Sequence, residues 1–248
     1  MKLIVAHFSP TGGTKRVADL IAAGLALPAV QIDLTEEIST VKIEDDDIVM
    51  AVLPVYIGRV PQIALRRLSA LKGSGHKAIA VAVYGNREYE DALLETKNTL
   101  QANGFQVIAA AAFIVEHSIV RSVASGRPDA EDEKIAHHFA AKIMEKLQSP
   151  TPIEVPGNDP YLELKISPFH PSADEGCIRC GICAEKCPVG AIAADEPEKT
   201  IADMCINCLR CVQVCPQKCR ALPEHFLAGI RQMLSEKASG YKKPELFI

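Results

Sequence analysis

Short, continuous hydrophobic runs alternate with amphipathic stretches through the first 148 residues. Each run is bounded by turn residues, which is the pattern of a strand buried on both faces. The predicted strands are Lys2–Phe8, Val30–Leu34, Asp47–Leu53, Lys77–Tyr84 and Gln106–Val115. One helix is predicted directly after the first strand, and the others cover Pro61–Leu71, Asp91–Ala102 and Ala130–Leu147. Strands that alternate with helices predict an α/β domain with a five-stranded parallel sheet and helices on both faces.

The remaining hundred residues follow another pattern. Four prolines and a glycine in residues 149–160 predict a semi-extended linker, which marks a domain boundary. Alternating apolar residues predict a strand over Tyr161–Ser167, and Pro223–Lys237 has the pattern of a helix. The tail Pro244–Ile248 is apolar and is expected to dock on a neighbouring domain. The predicted units are therefore 1–148, the linker 149–160, a small α+β domain at 161–222, and a helix with a tail at 223–248.

Two cysteine runs of identical spacing lie in the small domain. Each reads C-x2-C-x2-C-x3-C-P, which is the bacterial-type iron–sulfur spacing. In proteins with two such runs, the fourth cysteine of each run ligates the other cluster. The spacing therefore predicts two [4Fe-4S] clusters, one on Cys177, Cys180, Cys183 and Cys215, the other on Cys205, Cys208, Cys211 and Cys187.

Zinc and disulfides are the alternatives to iron at these cysteines. Structural zinc sites pair two CxxC units across a long gap, without a third and fourth cysteine or a trailing proline. Disulfide frameworks belong to secreted proteins, and Met1–Phe8 lacks the features of a signal peptide. A ninth residue, Cys219, is interpreted as a small hydrophobe beside a cluster. The region resembles the two-cluster bacterial ferredoxins, and all eight ligand positions match.

Charge and hydropathy exclude several classes of partner. The 248 residues include 27 Lys and Arg against 31 Asp and Glu, a formal charge of −4, so no nucleic-acid surface is expected. The longest apolar runs are too short to cross a bilayer, so no membrane partner is expected. Thiolates that await iron need a reducing interior, and a cytoplasmic protein is expected.

The turn after the first strand is a candidate phosphate site. Its hydroxyls and glycines precede the amides of a helix start, and together they form an anion nest. The spacing of a Walker loop is absent. The alternative is an ordinary helix cap by a threonine of the turn. The candidate phosphate-binding residues are Ser9, Thr11, Gly12, Gly13 and Thr14.

Two further loops follow the third and fourth strands, at the sheet edge where α/β proteins bind ligands. Tyr56 and Tyr89 are candidates to stack on the two faces of a planar ring, and Gly58 lets its peptide turn toward a ring edge. Ordinary packing is the alternative for both tyrosines. Their occurrence beside the phosphate turn favours a flavin site. The candidate residues in these loops are Tyr56, Gly58, Arg59, Tyr84, Gly85, Asn86, Arg87 and Tyr89.

Residues 1–148 resemble the short-chain flavodoxins. The family's phosphate loop, S/T-x-T-G-x-T, is met by Ser9, Thr11, Gly12 and Thr14. The resemblance implies non-covalent FMN. It places the outer stacking aromatic on Tyr89, the inner one on or near Tyr56, and the amides of Gly85–Arg87 at the pyrimidine edge of the ring.

One departure from that family concerns charge. Ordinary flavodoxins keep acidic loops around the ring, whereas this chain has Arg59 and Arg87 there. A guanidinium near the flavin stabilises its reduced anion, so a potential higher than that of ordinary flavodoxins is expected.

His117 is a candidate proton donor. It lies in Glu116-His117-Ser118, at the carboxyl end of the fifth strand and therefore on the ligand side of the sheet. The alternative is a capped strand end with a hydrogen-bonded histidine, and this alternative is favoured.

The whole chain resembles the fused flavodoxin–ferredoxin electron-transfer proteins of anaerobes. The resemblance implies an electron relay between two [4Fe-4S] clusters and FMN that serves redox partner proteins, either ferredoxin-like donors or oxidoreductase acceptors. One alternative is an FMN-dependent reductase of a small substrate, fed through the clusters, with His117 or Tyr89 as proton donor. A redox sensor that loses a cluster is a third. Neither the direction of flow nor the choice between a monomer and a homodimer follows from the sequence.

Overall fold

Five parallel strands form the centre of the first domain. A computed structural model describes residues 1–38 and 41–248 and orders these strands β2-β1-β3-β4-β5. This is the flavodoxin-like order, with a topological switch point between β1 and β3. The predicted fold class is confirmed. The strands are β1 (Leu3–His7), β2 (Ala29–Asp33), β3 (Ile48–Pro54), β4 (Lys77–Tyr84) and β5 (Gln106–Ile114).

Helices cover both faces of this sheet. Strands β1, β3, β4 and β5 are buried throughout, except at the first residue of β4 and of β5. They therefore appear in the sequence as continuous apolar runs. On one face, Ile21 and Phe139 belong to the same hydrophobic cluster as Leu3 and Val5 of β1. On the other face, Leu68 and Leu93 pack with Ile4. The helices are α1 (Gly13–Leu25) and α4 (Ala130–Lys146) on the first face, with α2 (Gln62–Leu68) and α3 (Ala92–Ala102) on the second.

The small domain consists mostly of loops held by short elements. A two-residue antiparallel ladder pairs Ser172 with Ala221 and Ala173 with Arg220. A single 3-10 turn, Ala202–Met204, precedes the second cysteine run. The elements are β6 (Ser172–Ala173), α5 (Ile182–Glu185), α6 (Arg210–Gln213), β7 (Arg220–Ala221), the terminal helix α7 (Glu224–Lys237) and β8 (Glu245–Phe247).

The tail docks on the first domain, as expected, but it does so as a strand. In β8, Leu246 pairs antiparallel with Ala111 of β5, so the sheet has six strands and is no longer purely parallel. β5 would otherwise be an edge strand with open backbone groups, and covering such an edge removes a site of aggregation. The three residues of β8 are too few to show a strand pattern in the sequence.

The predicted strand over Tyr161–Ser167 is wrong. This segment is coil, and both backbone groups of Leu162 bond to side chains of the first domain, Asp91 and Arg59, instead of to another strand. The Asp91 carboxylate accepts from the amides of Leu162, at 2.6 Å, and Asn158, at 2.7 Å. Ile153 is buried in the domain core. The stretch predicted as a semi-extended linker is therefore fixed along the first domain.

Candidate cofactor sites

The two cysteine runs adopt the same backbone conformation, 28 residues apart. Each run places a residue with positive φ between its first and second cysteines, Arg179 (φ 54°) in one and Asn207 (φ 53°) in the other. Gly181 (φ 77°) and Leu209 (φ 59°) repeat the feature just after the second cysteine. Alternation of left-handed residues in such loops turns successive amides toward a common centre, as in anion nests at Fe–S sites. Each run therefore forms a concave loop.

The first cavity brings together the thiols that the spacing assigned to one cluster. Three of them come from the first run and the fourth from the end of the second run, which returns beside it. The wall also contains Cys219 and the side chain of Arg220. The cavity is lined by Cys177, Cys180, Cys183 and Cys215.

The other four thiols also lie near one another. Burial raises the pKa of the Cys208 thiol to about 12, and the neighbouring Cys211, Cys187 and Cys205 add to this rise. Cys187 similarly raises the pKa of Cys205 and of Cys211, after the larger effect of burial. The amide of Ala191 donates to the Cys187 sulfur at 3.2 Å. Cys187 therefore lies with the second run although it belongs to the first.

The donor sets fit clusters better than single ions. Across residues 1–38 and 41–248, no three His, Cys, Asp or Glu side chains converge closely enough to hold one metal ion. A four-thiolate [4Fe-4S] site spreads its cysteines around a larger group. Cys219 stands outside both sets, with its sulfur 3.5 Å from that of Cys215.

The phosphate turn is an open helix start. Gly12 is the N-cap of α1, with φ 88°, and as a glycine it offers the helix no capping side chain. The Ser9 hydroxyl accepts from the amide of Lys15 at 2.9 Å, and Thr35 Oγ1 accepts from the Ser9 amide. In the part of the chain that is described, the amides of Gly13 and Thr14 have no acceptor. Two free amides at a helix N-terminus, beside the hydroxyls of the turn, suit a phosphate.

A second group of free amides follows β4. No acceptor for the amides of Gly85, Asn86 and Arg87 is found within the described ranges. The Asn86 side chain is buried and donates to the carbonyls of Ala238 and Gly240, each at 2.7 Å, while its Oδ1 has no partner. Because β1 and β4 flank β3, their ends are about 10 Å apart. The two groups of donors lie on one edge of the sheet.

Tyr56 lies between these donor groups, at the end of β3. It pairs with Arg59 in a two-residue hairpin turn, in which Ile57 (φ 52°) and Gly58 (φ 85°) are both left-handed. The left-handed conformation of Gly58 favours glycine, and a Cβ there would also force the Glu90 carboxylate oxygen, 2.0 Å away, to move. Burial raises the pKa of the Tyr56 phenol well above its usual value, and nearby Cys208 raises it further. The turn therefore faces the second thiol set.

Tyr84 and Tyr89 lie in the hydrophobic core. Their ring centroids are 5.5 Å apart, and Tyr89 is 6% exposed. The Tyr89 hydroxyl donates to a carboxylate oxygen of Glu245 in the tail strand at 2.8 Å. Burial raises the pKa of both phenols. The structure does not present Tyr89 as an outer stacking surface, because the tail covers it.

The two loop arginines are engaged in ion pairs. Arg59 is buried and forms two hydrogen bonds to the Glu95 carboxylate, of 2.6 and 3.1 Å, and it also donates to the Leu162 carbonyl. Its guanidinium carbon lies 4.7 Å from the centroid of the Tyr161 ring. Arg87 pairs with Glu90 at 2.7 and 2.8 Å. Neither guanidinium is a free cation, so the expected effect on a flavin potential has no support from these contacts.

His117 supports the loop after β4. Its Nδ1 accepts from the amides of Ile119 and Val120, both at 3.2 Å, and its ring packs where a Cβ on Gly85 would lie. Burial, with a smaller contribution from the charge of Arg87, lowers the pKa of His117 from 6.5 to about 4. The side chain is therefore neutral at pH 7, in agreement with the alternative of a hydrogen-bonded histidine at a strand end.

The pH dependence of stability should report this buried neutral state. Since the folded pKa of His117 lies below the unfolded one, the unfolded chain takes up a proton first as the pH falls from 6.5 to about 4. We expect a loss of up to about 3 kcal/mol of unfolding free energy over that range. His117→Asn keeps an acceptor and should flatten this part of the profile. Equal slopes for both proteins, from urea unfolding between pH 4 and pH 7, would contradict the assignment.

Contacts between the domains join the second cysteine set to the first domain. The buried Arg67 side chain donates to the carbonyls of Thr35 and Pro188, both at 2.9 Å, and thereby links α2 to the proline after Cys187. Val189 and Ile206 pack against the core of the first domain. Apart from Cys187 and Pro188, which belong to the first cysteine run, none of these residues was predicted from the sequence. The others carry no motif, and only the folded chain brings them together.

Polar contacts at the phosphate turn complete this interface. Arg210 donates to Glu36 at 2.7 Å, and Gln213 donates to the carbonyl of Thr11 at 3.4 Å. Both residues belong to α6, within the second cysteine run. That run therefore lies against the sheet edge that carries the free amides.

Comparison with known proteins identifies the small domain. Residues 176–219 match the family of 4Fe-4S dicluster domains. A polyferredoxin, MvhB of Methanothermus fervidus, is 45% identical over 42 residues, which are 17% of this chain and 10% of that protein. The match thus spans about a tenth of the length of that curated relative.

Solved structures align with the first domain at low identity. A flavodoxin from the domain Archaea aligns with 60% of this chain and 99% of its own, at 16% identity and a TM-score of 0.47. Oxidised flavodoxin 2 from Bacillus cereus aligns with 59% of this chain and 99% of its own, at 19% identity and a TM-score of 0.46. No membrane-spanning helix is found among the described residues. From its own strand order and the cysteine-domain match, the chain is a fusion of a flavodoxin-like α/β domain with a 4Fe-4S dicluster ferredoxin domain.

Proposed function

We propose that the protein relays single electrons between two [4Fe-4S] clusters and a bound FMN, on behalf of partner oxidoreductases. When bound, a cluster exchanges one electron at a time, and a flavin exchanges one or two. The observation that carries the proposal is the position of the second cysteine run. It lies against the switch-point edge of the sheet, where Arg210 donates to Glu36 at 2.7 Å and Gln213 donates to the carbonyl of Thr11 at 3.4 Å.

The ligand sets follow from the grouping of the thiols. Cys215 shares a cavity with three cysteines of the first run, and Cys187 is close to three cysteines of the second. We assign the first cluster to Cys177, Cys180, Cys183 and Cys215, and the second to Cys205, Cys208, Cys211 and Cys187. Cys219 is not assigned as a ligand.

FMN is assigned to the edge that carries the free amides. Its phosphate is bound by the turn of Ser9, Thr11, Gly12, Gly13 and Thr14, where two amides lack acceptors. The amides of Gly85–Arg87 provide donors for a ring edge, and Tyr56 provides an aromatic face next to the second cluster. We assign no flavin contact to Arg59, Tyr84 or Tyr89, because their side chains are engaged elsewhere.

Fixed contacts between the domains favour transfer within one molecule. Arg67, Val189 and Ile206 hold the second cysteine set against the first domain, and the linker is bound at Asp91. The first set is the outer one. Cys180 and the neighbouring Ile178 are exposed, so partner proteins would exchange electrons there, in the reducing cytoplasm of an anaerobe.

The rival function, reduction of a small substrate at the flavin, finds less support. Of its two candidate proton donors, Tyr89 is covered by the tail strand and hydrogen-bonded to Glu245. His117 is neutral, and its Nδ1 accepts two backbone amides. A carrier needs neither side chain as a proton donor.

Metal and flavin content, followed by rapid reduction, tests the relay. Anaerobically purified protein should contain about eight iron atoms and one FMN per chain, because two cubanes and one phosphate turn are assigned. Riboflavin should bind at least about 100-fold more weakly than FMN, since it lacks the charge-assisted hydrogen bonds of the phosphate. In stopped-flow experiments with a one-electron reductant, cluster bleaching should precede flavin bleaching. The rate of flavin bleaching should be independent of protein concentration. Flavin reduction that scales with protein concentration would exclude an intramolecular relay.

A further inference from the structure

The loop that follows β4 has little backbone hydrogen bonding of its own. Within the part of the chain that is described, none of the amides of residues 85–90, which we call the ring-edge loop, donates to an acceptor. Two of its residues, Asn86 (φ 64°) and Glu90 (φ 41°), are left-handed. Residues other than glycine keep this conformation where their surroundings hold it. The shape of the ring-edge loop therefore depends on contacts with other segments.

The C-terminal segment, residues 238–247, supplies several of these contacts. The Asn86 side chain is 3% exposed and donates to the carbonyls of Ala238 and Gly240, each at 2.7 Å. The Tyr89 hydroxyl donates to the Glu245 carboxylate at 2.8 Å. Both ends of the ring-edge loop are thus bonded to the segment that follows α7. Neither contact uses a backbone amide of the loop, so those amides stay free.

Lys242 holds the middle of the ring-edge loop. Its ammonium donates to the carbonyl of Arg87 and pairs with the Glu88 carboxylate. Its own carbonyl accepts from the Arg127 side chain at 2.6 Å, and the Arg127 guanidinium carbon lies 4.4 Å from the centroid of the Tyr241 ring. Arg127 is buried in the first domain. Lys242 is therefore anchored through its backbone and binds the loop through its side chain.

We propose that the C-terminal segment, chiefly through Lys242, positions the ring-edge loop for the flavin ring. Its bonds to the carbonyl of Arg87 and to side chains of the loop leave the amides of Gly85–Arg87 available as donors. A loop that is ordered in only a fraction of molecules lowers the affinity for its ligand by that fraction, and prior ordering removes this loss. The flavin site of the first domain is thus completed by residues that follow the small domain. The inference rests on the FMN site proposed above.

Flavin binding to Lys242→Met tests this role in the full-length, iron-loaded chain. The substitution nearly keeps the length of the side chain but removes the ammonium that holds Arg87 and Glu88. FMN and riboflavin should each bind at least about fivefold more weakly, and by the same factor, because the ring-edge loop serves the ring and not the phosphate. Fluorescence titration with each flavin measures the two dissociation constants.

The control is Lys243→Met, which removes the same charge from an exposed neighbour. Its two dissociation constants should stay within about a factor of two of those of the unaltered chain. Equal affinities for Lys242→Met and Lys243→Met would overturn the proposal. A loss of affinity for FMN without a loss for riboflavin would also overturn it, because the lysine would then act on the charge of the phosphate.

Trypsin cleavage after Arg87 reports on the ring-edge loop without a bound flavin. In the iron-loaded chain freed of flavin, Lys242→Met should be cut there at least about fivefold faster than Lys243→Met, since cleavage needs a loop that opens locally. Equal rates would contradict the positioning role. If Lys242→Met does not fold, Tyr89→Phe replaces it, because it loses only the bond to Glu245 and should change binding and cleavage in the same direction.

The two measurements separate this inference from the proposed function. If the unaltered, iron-loaded chain binds FMN and the two lysine variants behave alike, the positioning role is wrong while the FMN assignment stands. If the unaltered chain binds neither flavin, the FMN assignment fails, even where faster cleavage of Lys242→Met shows that the C-terminal segment holds the loop.

Discussion

Replacing Cys187 with serine should remove the cluster built on the second cysteine run, although Cys187 belongs to the first. Cys187 contributes to the raised pKa of Cys205, Cys208 and Cys211, and Cys215 of the second run lines the first cavity. Iron content should therefore fall from about eight to about four atoms per chain. The remaining cluster would be the outer one, so reduction of the flavin after cluster bleaching should lose its fast intramolecular phase.

Pairs of substitutions distinguish exchanged fourth ligands from an arrangement in which each run holds its own cluster. Cys187→Ser combined with Cys205→Ser removes two ligands of one cluster, so about four iron atoms should remain. Cys187→Ser combined with Cys177→Ser removes one ligand from each cluster and should leave almost none. The opposite pattern would mean that each run holds its own cluster. Cys219→Ser is the control and should keep about eight iron atoms, because Cys219 lies outside both sets although it is only 3.5 Å from Cys215.

The sequence predicted those parts of the structure that depend on residues close together in the chain. Four of the five parallel strands were predictable because a strand buried on both faces is apolar along its length, and β4 was predicted with the boundaries that it has. β2 differs, since it is an edge strand exposed at four of its five residues. The cysteine runs were predictable because C-x2-C-x2-C determines a compact loop whatever the rest of the chain does. The phosphate turn belongs to the same class, since a strand, a glycine-rich turn and a helix start are contiguous.

Side chains at the ring edge were less predictable, because distant segments determine their partners. Tyr89 is covered by Glu245, a residue 156 positions later in the chain. Arg59 bonds to Glu95, which lies in α3, and to the carbonyl of Leu162, which lies just after the linker. No pattern around either residue indicates such a partner. A loop arginine that looks free in the sequence can be a buried structural group.

The contacts between the two domains were also not predictable from the sequence. Arg67 is one of two adjacent arginines on a predicted helix, and nothing in the sequence distinguishes it from its exposed neighbour Arg66. In the fold it bonds to Pro188, which is the trailing proline of a cysteine run. The proline was part of a recognised motif, while the arginine that binds it was not. Motifs therefore indicated the two cofactor sites, but the geometry between them required the structure.

Loss of the Arg59 side chain should destabilise the first domain strongly. Arg59 and Glu95 are buried together, and Glu95 also accepts from the amide of Val60 at 2.9 Å. Removing one partner leaves a buried carboxylate without its counter-charge, and such changes cost about 3–5 kcal/mol. We therefore expect Arg59→Ala to lower the unfolding free energy by that amount. Urea unfolding of the cofactor-free chain, followed by far-UV circular dichroism, measures the change.

The control for this prediction is Arg87→Ala, which breaks a second arginine–glutamate pair in the neighbouring loop. Arg87 and Glu90 are each 27% exposed, so water compensates both charges and the expected loss is only about 0–1 kcal/mol. Arg59→Ala should also release the segment around Leu162 from the first domain, which proteolysis in residues 149–165 would detect. If instead Arg59→Ala were as stable as Arg87→Ala and shifted the flavin potential, Arg59 would be a flavin residue after all. The buried pair with Glu95 leads us to expect the opposite, because a guanidinium neutralised by its own carboxylate has little charge left to act on a ring.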